Sequence, residues 1–91
     1  MIRIISYQCE LSENNISDKS KESHRAICSL IEELEAIDVY SQRLDASSDK
    51  ELEEVLSHSL EEEMDHAAKT LEWIRKHIPD FDKALKKNLF K

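Results

Sequence analysis

AICSLIEELEAIDVYSQRLDA, residues 26–46, is the stretch that decides the fold. Ala26, Leu30, Ile37 and Leu44 recur at steps of four and seven, with Ile27, Ile31 and Leu34 beside them. That spacing keeps one apolar stripe on one side of a helix. Upstream, Ser17 and Asp18 are both good N-caps, because a short side-chain oxygen takes up an orphan amide of the first turn. The pattern predicts a helix from there to about Ala46. Such a helix of about 29 residues is roughly 43 Å long at about 1.5 Å per residue.

Toward the C-terminus, Ser48-Asp49-Lys50-Glu51 reads as a capping box: Ser48 caps an amide three residues on and Glu51 reaches back. A second helix should follow, with Leu56, Leu60, Met64, Ala67, Leu71, Ile74 and Ile78 at steps of four and three. Pro79-Asp80 ends it, since a proline disfavours helix in the residue before it. A short third helix, Phe81 to about Phe90, carries Phe81, Leu85, Leu89 and several lysines. Residues 1–16 show no helical period. Met1–Ile5 fits a short strand, stopped by Ser12-Glu13-Asn14-Asn15, and the segment reads as an arm ordered only by docking.

Composition points the same way. Ninety-one residues allow one small domain, here residues 17–91 behind the arm. There is no glycine and one proline, which argues against sandwiches, barrels and phosphate-loop folds. Charged residues are 36% and aromatics 5% of the chain, the profile of solvent-laced helices on a thin aliphatic core. No apolar run is long enough to span a membrane, and no secretory leader is visible. Cys9 and Cys28 are unframed by other cysteines and read as reduced thiols in a cytosol. Neither stands at a telling spacing from a histidine base, so thiol chemistry is not expected.

The net charge is −7. Residues 74–91 carry six basic side chains against Asp80 and Asp82, a local +4, which leaves −11 for the remainder. An acidic body disfavours nucleic acid as a partner and suits cations. Two helices of equal length joined by a short turn make an antiparallel hairpin. One hairpin cannot bury both apolar stripes, and a chain this small is marginal alone. The expected fold is all-α: a two-helix hairpin plus a short C-terminal helix, dimerising into a four-helix bundle.

Three polar residues interrupt the stripes. Glu33 lies three after Leu30 and four before Ile37, on the inward side, where a carboxylate is costly unless paired or ligated. Glu63 and His66 are i and i+3, neighbours on one face beside Met64 and Ala67. An oxygen and a nitrogen donor held one turn apart suit a first-row transition metal. With the turn centred between Ser47 and Ser48, Glu33 is level with residue 62, next to Glu63 and within about a turn of His66. A carboxylate-bridged di-iron bundle needs two glutamate helices and two Glu-x-x-His helices, and a two-fold axis at this height would supply them from two chains. The bland alternative keeps the three as a buried hydrogen-bonded cluster that fixes register. His58 with Glu54 or Glu62 can bind metal at i, i+4, but that face points outward. Tyr40 shares the stripe of Glu33 and suits either a donor to a ligand carboxylate or a core tyrosine. Trp73, Ile74 and Ile78 read as packing, and His77 as a cation favoured by the helix end.

At these residues the sequence resembles a known family. His24-Arg25-Ala26-Ile27, the run Ile31 to Asp38, Tyr40, Gln42-Arg43 and Asp45-Ala46-Ser47 resemble the encapsulated ferritins. So do Glu62-Glu63, His66-Ala67-Ala68 and Thr70-Leu71-Glu72-Trp73, over roughly residues 22–78 in all. The resemblance implies a two-helix, half-sized ferritin whose dimer rebuilds a four-helix bundle. It further implies a ring, typically five dimers, oxidising Fe(II) to Fe(III) at a di-iron centre between subunits. The product would be stored inside an encapsulin shell, in the cytoplasm. Glu33, Glu63 and His66 match the family's centre. Glu32 and Glu35 match its glutamates on the route to the centre, which also take other divalent cations such as calcium or zinc. Tyr40 matches a tyrosine beside the ligands. The family usually has tryptophan where Val39 stands, which touches packing and not the ligand set. It also has a flexible tail ending in a shell-docking peptide after the third helix, whereas this sequence runs to Lys91, so the shell rests on resemblance alone.

Three functions are therefore in play: a ferroxidase, a non-redox divalent-metal module using the same ligands, and a purely structural dimerisation domain. Glu33 speaks against the last, since a packing module has little reason to place a carboxylate on its core stripe.

Overall fold

A computed structural model describes residues 15–90. The strand expected at Met1–Ile5, Cys9 and all but the last two residues of the arm lie outside this range. Three helices follow in order: α1 (Asp18–Ala46), α2 (Lys50–His77) and α3 (Pro79–Asn88). No strand occurs among the described residues.

The boundaries have local causes. Ser17 opens α1 in an extended conformation, and its side chain accepts the Ser20 amide at 3.1 Å. With no glycine to close the helix in a left-handed residue, α1 stops at an extended Ser47, whose amide turns back to the Leu44 carbonyl at 3.3 Å. The Ser47 hydroxyl then takes the Asp49 amide at 3.3 Å. The cap of α2 is Asp49, not Ser48 as the capping box implies: its carboxylate accepts the Glu51 amide at 2.9 Å and that of Leu52 at 3.2 Å. An ionised cap is favoured at the positive end of the helix dipole. Pro79 ends α2 and also opens α3, two residues earlier than expected. At the first helical position its missing amide has no intrahelical bond to lose.

The loop of Ser47, Ser48 and Asp49 folds α2 back on α1. Ala26 lines one cleft with Thr70 and Trp73, and Ala36 lines another with Ser59 and Glu63, so the helices run antiparallel in the expected register. The seam is centred on small residues. Ala36, Leu56, Ala67 and Ile74 are the buried hydrophobic side chains. Ala36 and Ala67 let the two backbones approach closely. Leu34, beside the stripe of α1, and Met64, on that of α2, are 53% and 48% exposed in the single hairpin. Met64 sits off the line Leu56–Ala67–Ile74 that faces α1, because the seven-residue step, and not the run of fours through Leu60, tracks the partner helix.

The hairpin is one layer thick. Its extents are 50 × 35 × 15 Å, and a single helix with side chains is about 10–12 Å across. The radius of gyration is 16.2 Å, against about 12 Å for a compact domain of this length. Leu52 and Val55 join Leu34 and Met64 in exposure. α3 is fastened by Arg75, which forks onto Glu72 with two hydrogen bonds of 2.7 Å and reaches Asp82 of α3 at 3.0 Å. Lys86 adds a second cation to Asp82 at 3.0 Å.

Candidate metal centre

Glu63 falls on the very line of α2 that faces α1, seven residues from Leu56 and four from Ala67. Its side chain is 24% exposed. One turn on, the His66 Nδ1 lies 3.2 Å from Glu63 Oε1, and the imidazole is half exposed at the edge of the layer. The two donors are thus already side by side, with the ring's other nitrogen left for a further contact.

On α1, Glu33 stands three residues before Ala36 and seven before Tyr40, on the side turned to α2. It is half-buried, and its Oε1 is buried with no hydrogen-bond partner. A buried carboxylate oxygen left unsatisfied costs on the order of 1–3 kcal/mol, more if charged. Such an atom fits a cation that arrives later. Glu35 presents the same feature at Oε2. Glu32 and Glu35, which the resemblance matches to glutamates on the route to the centre, are both half-buried, and Glu35 turns one oxygen inward.

Tyr40 lines an open cleft of about 410 Å³ with Ala36, Val39, Arg43, Glu62 and Glu63. Arg43 sits 5.6 Å from the Tyr40 ring centroid, a cation–π distance. Sequence reasoning singled out Tyr40 but missed Arg43. The i, i+3 step between the two was the available signal. Asp65, next to His66 in sequence, turns away. Lys69 hydrogen-bonds it at 2.9 Å and holds its carboxyl below the usual range, so it does not compete for the same contacts.

Within one chain the donors do not close. Among the described residues no group of three or more histidine, cysteine, aspartate or glutamate side chains is arranged to hold a metal ion. Glu63 and His66 meet; Glu33 is not gathered with them into such a group. His58 pairs outward with Glu62 at 2.6 Å, both largely exposed, as the sequence implies. Trp73 stacks on His77 at 3.9 Å, and the His77 Nδ1 lies 2.8 Å from the Trp73 carbonyl oxygen, which makes both part of the end of α2. The expectation that neither cysteine stands at a telling spacing from a histidine does not hold for Cys28. Cys28 lies against His24, one turn earlier, with Sγ 3.6 Å from Nε2 and 3.8 Å from Nδ1.

Residues 8–91 match the EncFtn-like family. The chain belongs to that family. An encapsulated ferritin-like protein of Rhodospirillum rubrum is 47% identical over 75 residues, covering 82% of this chain and 54% of the relative. A ferritin-like protein of Thermotoga maritima is 40% identical over 77 residues, covering 85% of this chain and 68% of the relative. The chain therefore spans about half the length of the first of these relatives. The crystal structure of protein ne0167 from Nitrosomonas europaea superimposes with a TM-score of 0.86 at 51% identity, covering 91% of each chain. The resemblance read from the sequence is borne out at the level of the EncFtn-like family. None of the described helices is long and apolar enough to cross a membrane.

Proposed function

We propose that this chain is a ferroxidase that oxidises Fe(II) to Fe(III) at a centre shared between two copies, each supplying Glu33, Glu63 and His66. The observation that carries the reading is the buried, unpartnered Oε1 of Glu33 in a ferritin-like hairpin whose facing helix presents Glu63 and His66 in contact. One chain holds half of a di-iron ligand set, and the layer's thickness leaves its other face for a second hairpin. Leu34, Leu52, Val55 and Met64, exposed here, would be covered in a four-helix bundle.

Iron enters as substrate. The carboxylates of Glu33 and Glu63 offset the charge of two cations, which in water-poor surroundings are favoured far more than in bulk. His66 contributes a neutral nitrogen, and its contact with Glu63 fixes the ring's orientation. Oxidation strengthens the attraction to the same carboxylates, because the product carries one more positive charge. Each Fe(II) gives up one electron, and dioxygen is the acceptor. Glu32 and Glu35 draw cations toward the centre through the acidic surface. Tyr40 lines the cleft with Glu63. Delivery of the product to mineral storage inside an encapsulin shell follows the same family setting. The deciding experiment is the initial rate of Fe(II) oxidation in the parent and in Glu33→Ala. A Glu33→Ala rate near that of the parent would remove the centre from this layer.

A further inference from the structure

α3 folds back along α2 and leaves an apolar groove of about 230 Å³ between them, walled by Ala68, Leu71, Leu85, Leu89 and Phe90. Leu89 is 44% exposed, and the Phe90 ring stands fully exposed at the left-handed residue that follows α3. The charged side chains at the rim are already engaged: Arg75 and Lys86 both hold Asp82. Pockets for small molecules run to about 300–1,000 Å³. A groove below that range, with an apolar floor, suits a few aliphatic side chains of a peptide and not a cofactor.

The sequence holds such a peptide. Met1, Ile2, Ile4, Ile5 and Tyr7 are apolar, with only Arg3 and Ser6 between them, the densest apolar stretch outside the helices. Residues 1–7 precede the stretch that matches the EncFtn-like family, 8–91, and the iron chemistry above gives them no role. Register brings them within reach. Ala26 shares a cleft with Thr70 and Trp73, so Asp18, about two turns earlier on the antiparallel helix, is level with about residue 79, the corner between α2 and α3. From that corner α3 is about 15 Å long. The intervening residues 8–17 span up to about 33 Å. They carry Glu10 and Glu13 and no basic residue, opposite in sign to the local +4 of residues 74–91. We propose that residues 1–7 dock in the α2–α3 groove of their own chain, setting isoleucines against Leu71, Leu85, Leu89 and Phe90. A tethered segment acts at an effective concentration on the order of millimolar, which favours it over a second copy or a foreign peptide.

Cys9, just beyond the segment, carries the probe. In the full chain with Cys28→Ser, a nitroxide on Cys9 should broaden away the methyl signals of Leu71, Leu85 and Leu89. Those of Leu52 and Val55, at the other end of α2, should stay sharp. The effect should persist when the spin-labelled, isotope-labelled chain is mixed before assembly with an excess of unlabelled parent. Ile4→Glu with Ile5→Glu should abolish it without loss of helix content, since both positions precede α1, and Leu89→Glu should abolish it from the groove side. Glu33→Ala should leave it intact, which keeps the result independent of the ferroxidase reading. Sharp Leu71, Leu85 and Leu89 signals in the labelled parent would overturn the assignment. So would broadening that survives Ile4→Glu with Ile5→Glu, or that appears only when nitroxide and isotope are on different copies.

Discussion

The Nδ1 of His66 lies 3.2 Å from the Oε1 of Glu63, one turn apart on a helix whose neighbouring turns, at Leu56 and Ala67, are buried against α1. The imidazole is half exposed while the carboxylate is largely covered. The pair is thus anchored in the hairpin at one end and open at the other. That is the arrangement expected of half a site.

The exposed apolar residues give the first prediction. Leu34 and Met64 are about half exposed. At roughly 25 cal/mol per Å² of apolar area, covering such side chains in a partner contributes on the order of 1 kcal/mol each. The parent should sediment as a dimer or larger at micromolar concentration, and Fe(II) should shift it further toward assembly, because a shared site binds only the assembled state. Met64→Lys should weaken assembly by about tenfold or more. A compact monomer indifferent to Fe(II) would refute a centre shared between chains.

Most of the hairpin was legible because it rests on local chemistry. The period of apolar residues gave both long helices, and Ser17 and Pro79 marked their limits through groups within a few residues of themselves. The misreadings arise where a second element decides. Met64 satisfies the helical period yet misses α1, since periodicity fixes a face and not what covers it. Ser48 fits a capping box, but Asp49 is one residue nearer the first turn and brings a charge to the dipole. Cys28 follows His24 at i, i+4, a spacing that by itself puts the two in contact on a helix. For the proposed centre, periodicity put Glu33 on the inward stripe and the i, i+3 step put Glu63 beside His66; the structure brings Glu63 and His66 into contact and, among the described residues, does not gather Glu33 with them.

Arg75 predicts an acid response. Its hydrogen bonds hold Glu72 down to about 2, from an ordinary 4.5, and hold Asp82 below its ordinary value with help from Lys86. Both carboxyls have folded pKa values below their unfolded ones. Their contribution is therefore complete above about 4.5 and lost as pH falls toward about 2. The thermal midpoint of the parent should decline across that window. Arg75→Met should flatten the decline and lower the midpoint at neutral pH, because Arg75 also ties α2 to α3. An unchanged acid slope in the variant would show that other carboxylates govern it.

The orphaned oxygen of Glu33 predicts opposed effects on stability and activity. Without metal, a half-buried carboxylate with an unpartnered oxygen is a burden on the hairpin. Glu33→Met keeps the volume and removes the charge. The metal-free midpoint should rise by about 4–8 °C if about 1 kcal/mol is recovered, while Fe(II) oxidation is lost. A midpoint that falls instead would show that the carboxylate is satisfied in the assembled protein even without metal.

The ligand set itself gives the sharpest expectation. Glu33→Ala, Glu63→Ala and His66→Ala each strip one donor from both halves of a two-fold centre. Each should slow Fe(II) oxidation by more than the roughly 10- to 100-fold that losing an outer partner of a metal ligand costs. The triple variant should be little worse than the worst single one, because groups that act as a unit are not additive. Glu32→Ala and Glu35→Ala should be milder and should raise the Fe(II) concentration needed for half-maximal rate, as the proposed role of concentrating the cation requires. Glu35 is the informative case, because its buried Oε2 gives it more to lose than an exposed attracting charge. If Glu35→Ala matched Glu33→Ala in rate at saturating Fe(II), Glu35 would belong among the ligands, and the division between approach and centre would have to be redrawn along α1.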